Sequence, residues 1–113
     1  MNLLFVCSRN RLRSPTAEAI FSELKGYAVL SAGTSADAAT VISADLLDWA
    51  DLIFAMEGIH RRRLNQRFGS SLRTKRLIVL GIPDEYGYMD PRLVDLLKER
   101  VSLHIDIPLT PSE

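Results

Sequence analysis

The stretch Leu3-Leu4-Phe5-Val6-Cys7-Ser8-Arg9-Asn10-Arg11-Leu12-Arg13-Ser14-Pro15 decides how this chain reads. Leu3 to Cys7 is an apolar run of strand length, and Ser14-Pro15 is a helix start, with serine placed to cap and proline at a position whose N–H needs no partner. The loop between them holds a cysteine and an arginine, a spacing that suits a phosphate cradle. In such a cradle the sulfur faces phosphorus and the guanidinium forks around the phosphoryl oxygens. The loop N–H groups point inward as a nest, reinforced by the positive end of the following helix. That field favours the thiolate, the form that attacks. Cys7 reads as nucleophile and Arg13 as the residue that follows charge into the transition state. Ser8, Arg9, Asn10, Arg11 and Leu12 supply the cradle. Asn10 tolerates the left-handed backbone a tight loop needs, and Ser14 can both cap the helix and bond the sulfur.

Outward from this stretch, strands alternate with helices. Tyr27 to Leu30, Leu52 to Met56 and Leu77 to Leu80 read as the remaining strands. The first helix places Ala17, Ile20, Phe21 and Leu24 on one face and is expected to stop at Gly26. Ser35 to Ala39 is small and polar, a loop. Ser43 caps a short helix through Ala50 with Leu46, Leu47 and Ala50 inward. A third helix is expected from about Glu57 to Phe68, stopped by Gly69, and a fourth from the Asp90-Pro91 cap to about Val101. The pattern predicts one α/β domain over residues 1–113, a parallel sheet with helices on both faces and a loose tail from about residue 104. Ligands of such sheets bind beyond the carboxyl ends of the strands, where Cys7 lies.

The chain has 113 residues, 47% of them hydrophobic and 25% charged, ordinary values for a small globular domain. Lys and Arg together number 14, as do Asp and Glu, so no net field recruits nucleic acid or an anionic membrane. Leu3 to Val6 is too short for a signal peptide or membrane span. One cysteine makes neither an internal disulfide nor a thiolate zinc site, so a metal-free, cofactor-free cytoplasmic protein is expected. Between Gly58 and Pro83 there is no acidic residue, while Arg61, Arg62, Arg63, Arg67, Arg73, Lys75 and Arg76 occur. That run reads first as a solvated basic face and second as a docking surface for an acidic partner or nucleic acid. His60 and His104 lack ligand-like spacing and read as surface or helix-packing residues, and Trp49 as core.

Phosphoryl transfer through cysteine also needs an acid for the leaving oxygen and a base for water. Asp84, in Ile82-Pro83-Asp84-Glu85-Tyr86-Gly87, is the preferred candidate because it leaves the fourth strand without a structural task. Asp90 is the alternative acid, already explained as a cap before Pro91. Tyr86 and Tyr88 either face a flat substrate ring or pack beneath the loop.

These residues resemble the low-molecular-weight protein tyrosine phosphatase family. The resemblance runs over Leu4-Phe5-Val6-Cys7, Asn10, Arg13-Ser14-Pro15, Ala17-Glu18-Ala19 and Phe21. It continues over Ser31-Ala32-Gly33-Thr34, Ala50-Asp51-Leu52-Ile53, Met56 and the Asp84 loop. It implies a four-stranded parallel sheet in the order 2-1-3-4 within three layers. It also implies metal-free hydrolysis of phosphomonoesters, on phosphotyrosine proteins or small phosphates, through a phosphocysteine on Cys7. Ser31 would then belong to the network that holds Asn10. The chain departs from the family in several places. The segment from Thr34 to Val41 is short, which implies a more open site. Asp84 is followed by Glu85, whereas the family has an Asp-Pro pair there. Arg9 replaces a usual glycine, Arg11 falls where an apolar residue borders the substrate ring, and Leu12 stands where some members carry a second cysteine. Three arginines in one loop favour acidic or multiply charged phosphates.

Rival expectations are a non-catalytic phosphate- or phosphopeptide-binding module and an arsenate reductase that uses an external thiol, since no relay cysteines are present. A nucleic-acid role for the Arg61 to Arg76 stretch ranks below both.

Overall fold

A computed structural model describes residues 1–106. The chain runs β1 (Asn2–Cys7), α1 (Arg13–Phe21), β2 (Ala28–Gly33), α2 (Ala44–Trp49), β3 (Leu52–Ala55), α3 (Gly58–Leu72), β4 (Arg76–Val79) and α4 (Pro91–Val101). The strands form one sheet in the order β2-β1-β3-β4, every pairing parallel. The fold class and strand order are those the sequence and the resemblance implied.

Strand alternation divides the core between the two faces of the sheet. Leu3, Phe5 and Cys7 of β1 share one buried cluster with Phe54 of β3, Ala17 and Phe21 of α1, and Leu93 and Leu97 of α4. Leu4 and Val6 face the other way, into a cluster with Ile53, Leu47 of α2, and Leu64 and Leu72 of α3. Phe5 stacks between Phe21 and Phe54 at centroid separations of 5.5 and 5.0 Å, which fixes the carboxyl end of β1 against α1. Because β1 is flanked by β2 on one side and β3 on the other, Cys7 lies where the order of the strands reverses.

Four local expectations are corrected. Helix α1 begins at Arg13, with Leu12 at the cap position and no side-chain cap; Ser14 is not the cap because its hydroxyl turns to the Cys7 sulfur. The same helix ends at Phe21, and Gly26 (φ +87°) instead shapes the turn before β2. Helix α3 runs through Gly69 to Leu72, bending at Phe68 (φ −135°, ψ 31°). Burial of Leu72 in the second cluster outweighs the ~1 kcal/mol by which glycine disfavours helix. Finally, Ile105 is buried in the first cluster, within the tail expected to be loose; residues 107–113, the remainder of that tail, lie outside the described residues. Ser43 caps α2 by accepting from Leu46 N–H, and Asp90 caps α4 by accepting from Arg92 N–H, as expected.

Candidate active site

The loop from Ser8 to Leu12 carries the chain from the end of β1 into α1. Asn10 adopts φ 57°, the left-handed conformation its residue type permits. This turn aims the Asn10 N–H at Cys7 Sγ, 3.2 Å away. The Asn10 carboxamide lies behind the loop and organises it. Its Nδ2 donates to Ser14 Oγ and Ser31 Oγ, both at 2.9 Å, while its Oδ1 accepts from Thr40 N–H at 3.1 Å. Ser31 passes its own hydrogen to Glu18 Oε1 at 2.5 Å. Ser14 Oγ already accepts from Asn10, so its hydrogen is free for Cys7 Sγ at 2.9 Å. The sulfur therefore receives both a backbone N–H and a hydroxyl, the arrangement that suits a thiolate nucleophile and leaving group.

The short segment after β2 braces the loop from behind. Thr34 N–H donates to Cys7 O, Ser35 N–H to Ser8 O and Ala39 N–H to Arg9 O, at 2.9, 2.9 and 3.1 Å. Gly33 is required for this approach: a Cβ there would lie 2.4 Å from Ser8 O and 3.0 Å from Asn10 N.

Arg13 is only 4% exposed, yet its charge is matched. Its Nη1 donates to Glu57 Oε1 at 2.6 Å and to Ile82 O at 2.8 Å. Both Nη1 hydrogens are thereby occupied, which fixes the plane of the guanidinium and leaves Nε and Nη2 as the edge able to fork an oxyanion. Asp84 stands beyond that edge, its Oδ1 3.8 Å from Arg13 Nε and its side chain 64% exposed. A cavity of about 560 Å3 opens here, lined by Cys7, Ser8, Arg9, Arg11, Leu12, Arg13 and Asp84.

Asp90 is held elsewhere. It pairs with Arg92 at 2.8 Å, and the hydrogen bonds from Arg92 keep its carboxyl below the usual carboxylate range. Tyr86 and Tyr88 do not line the cavity. Tyr86 packs on the first core cluster beneath the guanidinium of Arg92, and Tyr88 is exposed. None of residues 34–41 lines the cavity either. In the basic run, Arg63 donates to Thr34 Oγ1, Arg67 to Thr34 O, and Lys75 to the carbonyls of Asp48 and Ala50. Part of that run is therefore engaged in intramolecular hydrogen bonds. Among the described residues no group of His, Cys, Asp and Glu is placed to hold a metal ion, and no helix is long and apolar enough to cross a membrane.

Sequence reasoning missed Glu57 and misplaced His60. Glu57 follows β3, next to β1, so the adjacency of strand ends was the available signal. His60 is fully buried. Its Nδ1 accepts the Glu57 N–H at 3.0 Å and its Nε2 lies 2.9 Å from Ser8 Oγ. Burial, reinforced by Arg13, lowers its pKa to about 4.

No protein-family model matches the sequence, and no curated protein matches it. Solved structures do. The tyrosine phosphatase Wzb of Escherichia coli K30, solved with phosphate, superposes with a TM-score of 0.71 at 21% identity, covering 90% of this chain and 94% of that one. The YwlE arginine phosphatase of Geobacillus stearothermophilus gives 0.68 at 24% identity, over 90% and 86%. A protein tyrosine phosphatase of Entamoeba histolytica gives 0.70 at 22% identity, over 91% and 96%. The chain thus has the fold of these phosphatases over nearly its whole length.

Proposed function

We propose that the protein hydrolyses phosphomonoesters through a phosphocysteine intermediate. The observation that carries this reading is the geometry at Cys7. Asn10 N–H and Ser14 Oγ contact its sulfur, and Cys7 lines one cavity with Arg13 and with Asp84, which stands 3.8 Å from Arg13 Nε. In the first step Cys7 Sγ attacks phosphorus and the bond to the leaving oxygen breaks, with Asp84 donating a proton to that oxygen. Arg13 Nε and Nη2, with the loop N–H groups, hold the equatorial oxygens as charge builds. In the second step water attacks the phosphocysteine, Asp84 takes its proton, and Ser14 stabilises the departing thiolate. Phosphate and free Cys7 remain. Asp84 is favoured over Asp90 as the acid because it borders the cavity, whereas Asp90 is engaged as a cap.

The solved structures it resembles are named for tyrosine and for arginine phosphatase activity. Here, among the described residues, no aromatic side chain lines the cavity, and Arg9 and Arg11, both exposed, do. A phosphate ester flanked by carboxylates suits that lining, and a phosphorylated guanidinium does not. A free nucleophilic cysteine also suits a reducing compartment such as the cytoplasm. The binding-module and external-thiol reductase readings keep the same cradle but do not need Asp84. The test is hydrolysis of para-nitrophenyl phosphate under reducing conditions, with wild type beside Cys7→Ser. Turnover that vanishes in the variant supports the phosphatase. Saturable phosphate binding without turnover in the wild type supports the binding module.

A further inference from the structure

We infer that His60 is a positioning residue that sets the Ser8 hydroxyl as an oxyanion donor in the cradle. The helix cap fixes the tautomer of the ring. The Glu57 N–H can only donate, so His60 Nδ1, 3.0 Å away, is the unprotonated nitrogen of the ring. A neutral imidazole then carries its hydrogen on Nε2, and the 2.9 Å contact with Ser8 is a donation from Nε2–H to Oγ. The ring stays neutral near pH 7, since burial and the charges of Arg13 and Arg63 lower its pKa to about 4 against the opposing pull of Glu57 and Asp84. With one lone pair of Ser8 Oγ occupied by His60, the hydroxyl hydrogen has no other described partner and is free to point into the cavity that Ser8 lines. The same histidine caps α3, whose first residues follow Glu57, the anchor of Arg13. One buried side chain thereby ties the serine and the arginine of the cradle to the carboxyl end of β3.

The two ring nitrogens have separable tasks, so two substitutions separate them. His60→Asn keeps an acceptor near the Nδ1 position for the Glu57 N–H but has nothing that reaches Ser8. His60→Gln reaches Ser8 with its amide N–H but leaves the cap unmade. The readouts are melting temperature, kcat/KM for para-nitrophenyl phosphate, and affinity for inorganic phosphate by calorimetry. The inference predicts that His60→Asn melts near wild type and loses roughly tenfold or more in kcat/KM and in phosphate affinity. His60→Gln melts lower and keeps most of both. Ser8→Ala matches His60→Asn, and adding His60→Asn to it costs little more. Equal losses in the two histidine variants, following melting temperature, would overturn the inference, as would full phosphate affinity in His60→Asn. The inference rests on an anion-binding cradle. If the wild type binds phosphate in this pattern without hydrolysing any ester, the phosphatase reading fails and the role of His60 stands.

Discussion

Replacing Gly33 by alanine tests whether the cradle is rigidly seated on β2. Gly33 is the register partner of Cys7 across the β1–β2 pairing. An added Cβ would lie 2.4 Å from Ser8 O, 2.7 Å from Ala38 Cβ and 3.0 Å from Asn10 N. Ordinary contact begins at 3.4 Å, so the Ser8 carbonyl must retreat by about 1 Å. Two of the three obstructing atoms are backbone of the cradle itself, and no rotamer change relieves them. Ser8 O also accepts from Ser35 N–H at 2.9 Å, so its retreat strains the bracing segment too. Overpacking of this kind costs ~1–3 kcal/mol, or roughly 4 °C of melting temperature per kcal/mol for a domain of this size. Displacing the donors around a reacting centre by 1 Å lowers turnover by ~10²-fold. The assay is kcat/KM for para-nitrophenyl phosphate beside a thermal melt. A Gly33→Ala protein with wild-type turnover and an unchanged melting temperature would refute the reasoning.

Other predictions follow from the same contacts. Arg13→Ala should lose both turnover and phosphate affinity, and Arg13→Lys should restore neither, because a lysine cannot anchor on Glu57 and Ile82 while forking an oxyanion; unchanged phosphate affinity in Arg13→Ala contradicts the cradle. Asp84→Asn should lower kcat most for esters with poor leaving groups, whereas Asp90→Asn should leave that dependence flat; the reverse order moves the acid to Asp90. Stability should also vary with pH through His60. The unfolded ring titrates near 6.5 and the folded ring near 4, so the unfolded chain binds the extra proton between those values. The contribution of the neutral ring is whole above pH 6.5 and is lost as pH falls toward 4, a loss on the order of 3 kcal/mol at about 1.4 kcal/mol per unit. Denaturant melts from pH 7 to 4 should show this slope, smaller in His60→Asn; equal slopes in both proteins assign it to other groups.

What could be read in advance was what lies close together along the chain. Cys7, Asn10, Arg13 and Ser14 occupy one continuous strand–loop–helix stretch, so their spacing in sequence is nearly their spacing in space. Ser14 was half legible, since the Ser-Pro pattern of a helix cap is the same pattern that points a hydroxyl at the sulfur. The anchor of Arg13 was not legible, because Glu57 lies 44 positions away and meets it only through the neighbouring ends of β1 and β3. His60, 52 positions from Ser8, looked like one more polar residue on a basic helix. Nor does an arginine-rich run reveal that Arg63 and Arg67 hydrogen-bond Thr34. Gly33 belonged to a recognisable Ser-Ala-Gly-Thr string, but its reason, the closeness of the Ser8 carbonyl, exists only in the folded chain.

The central claim is a covalent bond between phosphorus and the sulfur of Cys7. Wild-type protein mixed with para-nitrophenyl phosphate, quenched in acid within the first turnover and digested for mass spectrometry, tests it directly. A phosphoryl group is expected on the peptide containing Cys7, appearing with the first release of nitrophenol and absent from Cys7→Ala, which also shows no turnover. Sustained hydrolysis by Cys7→Ala, or a phosphoryl group trapped on any other residue, would contradict it.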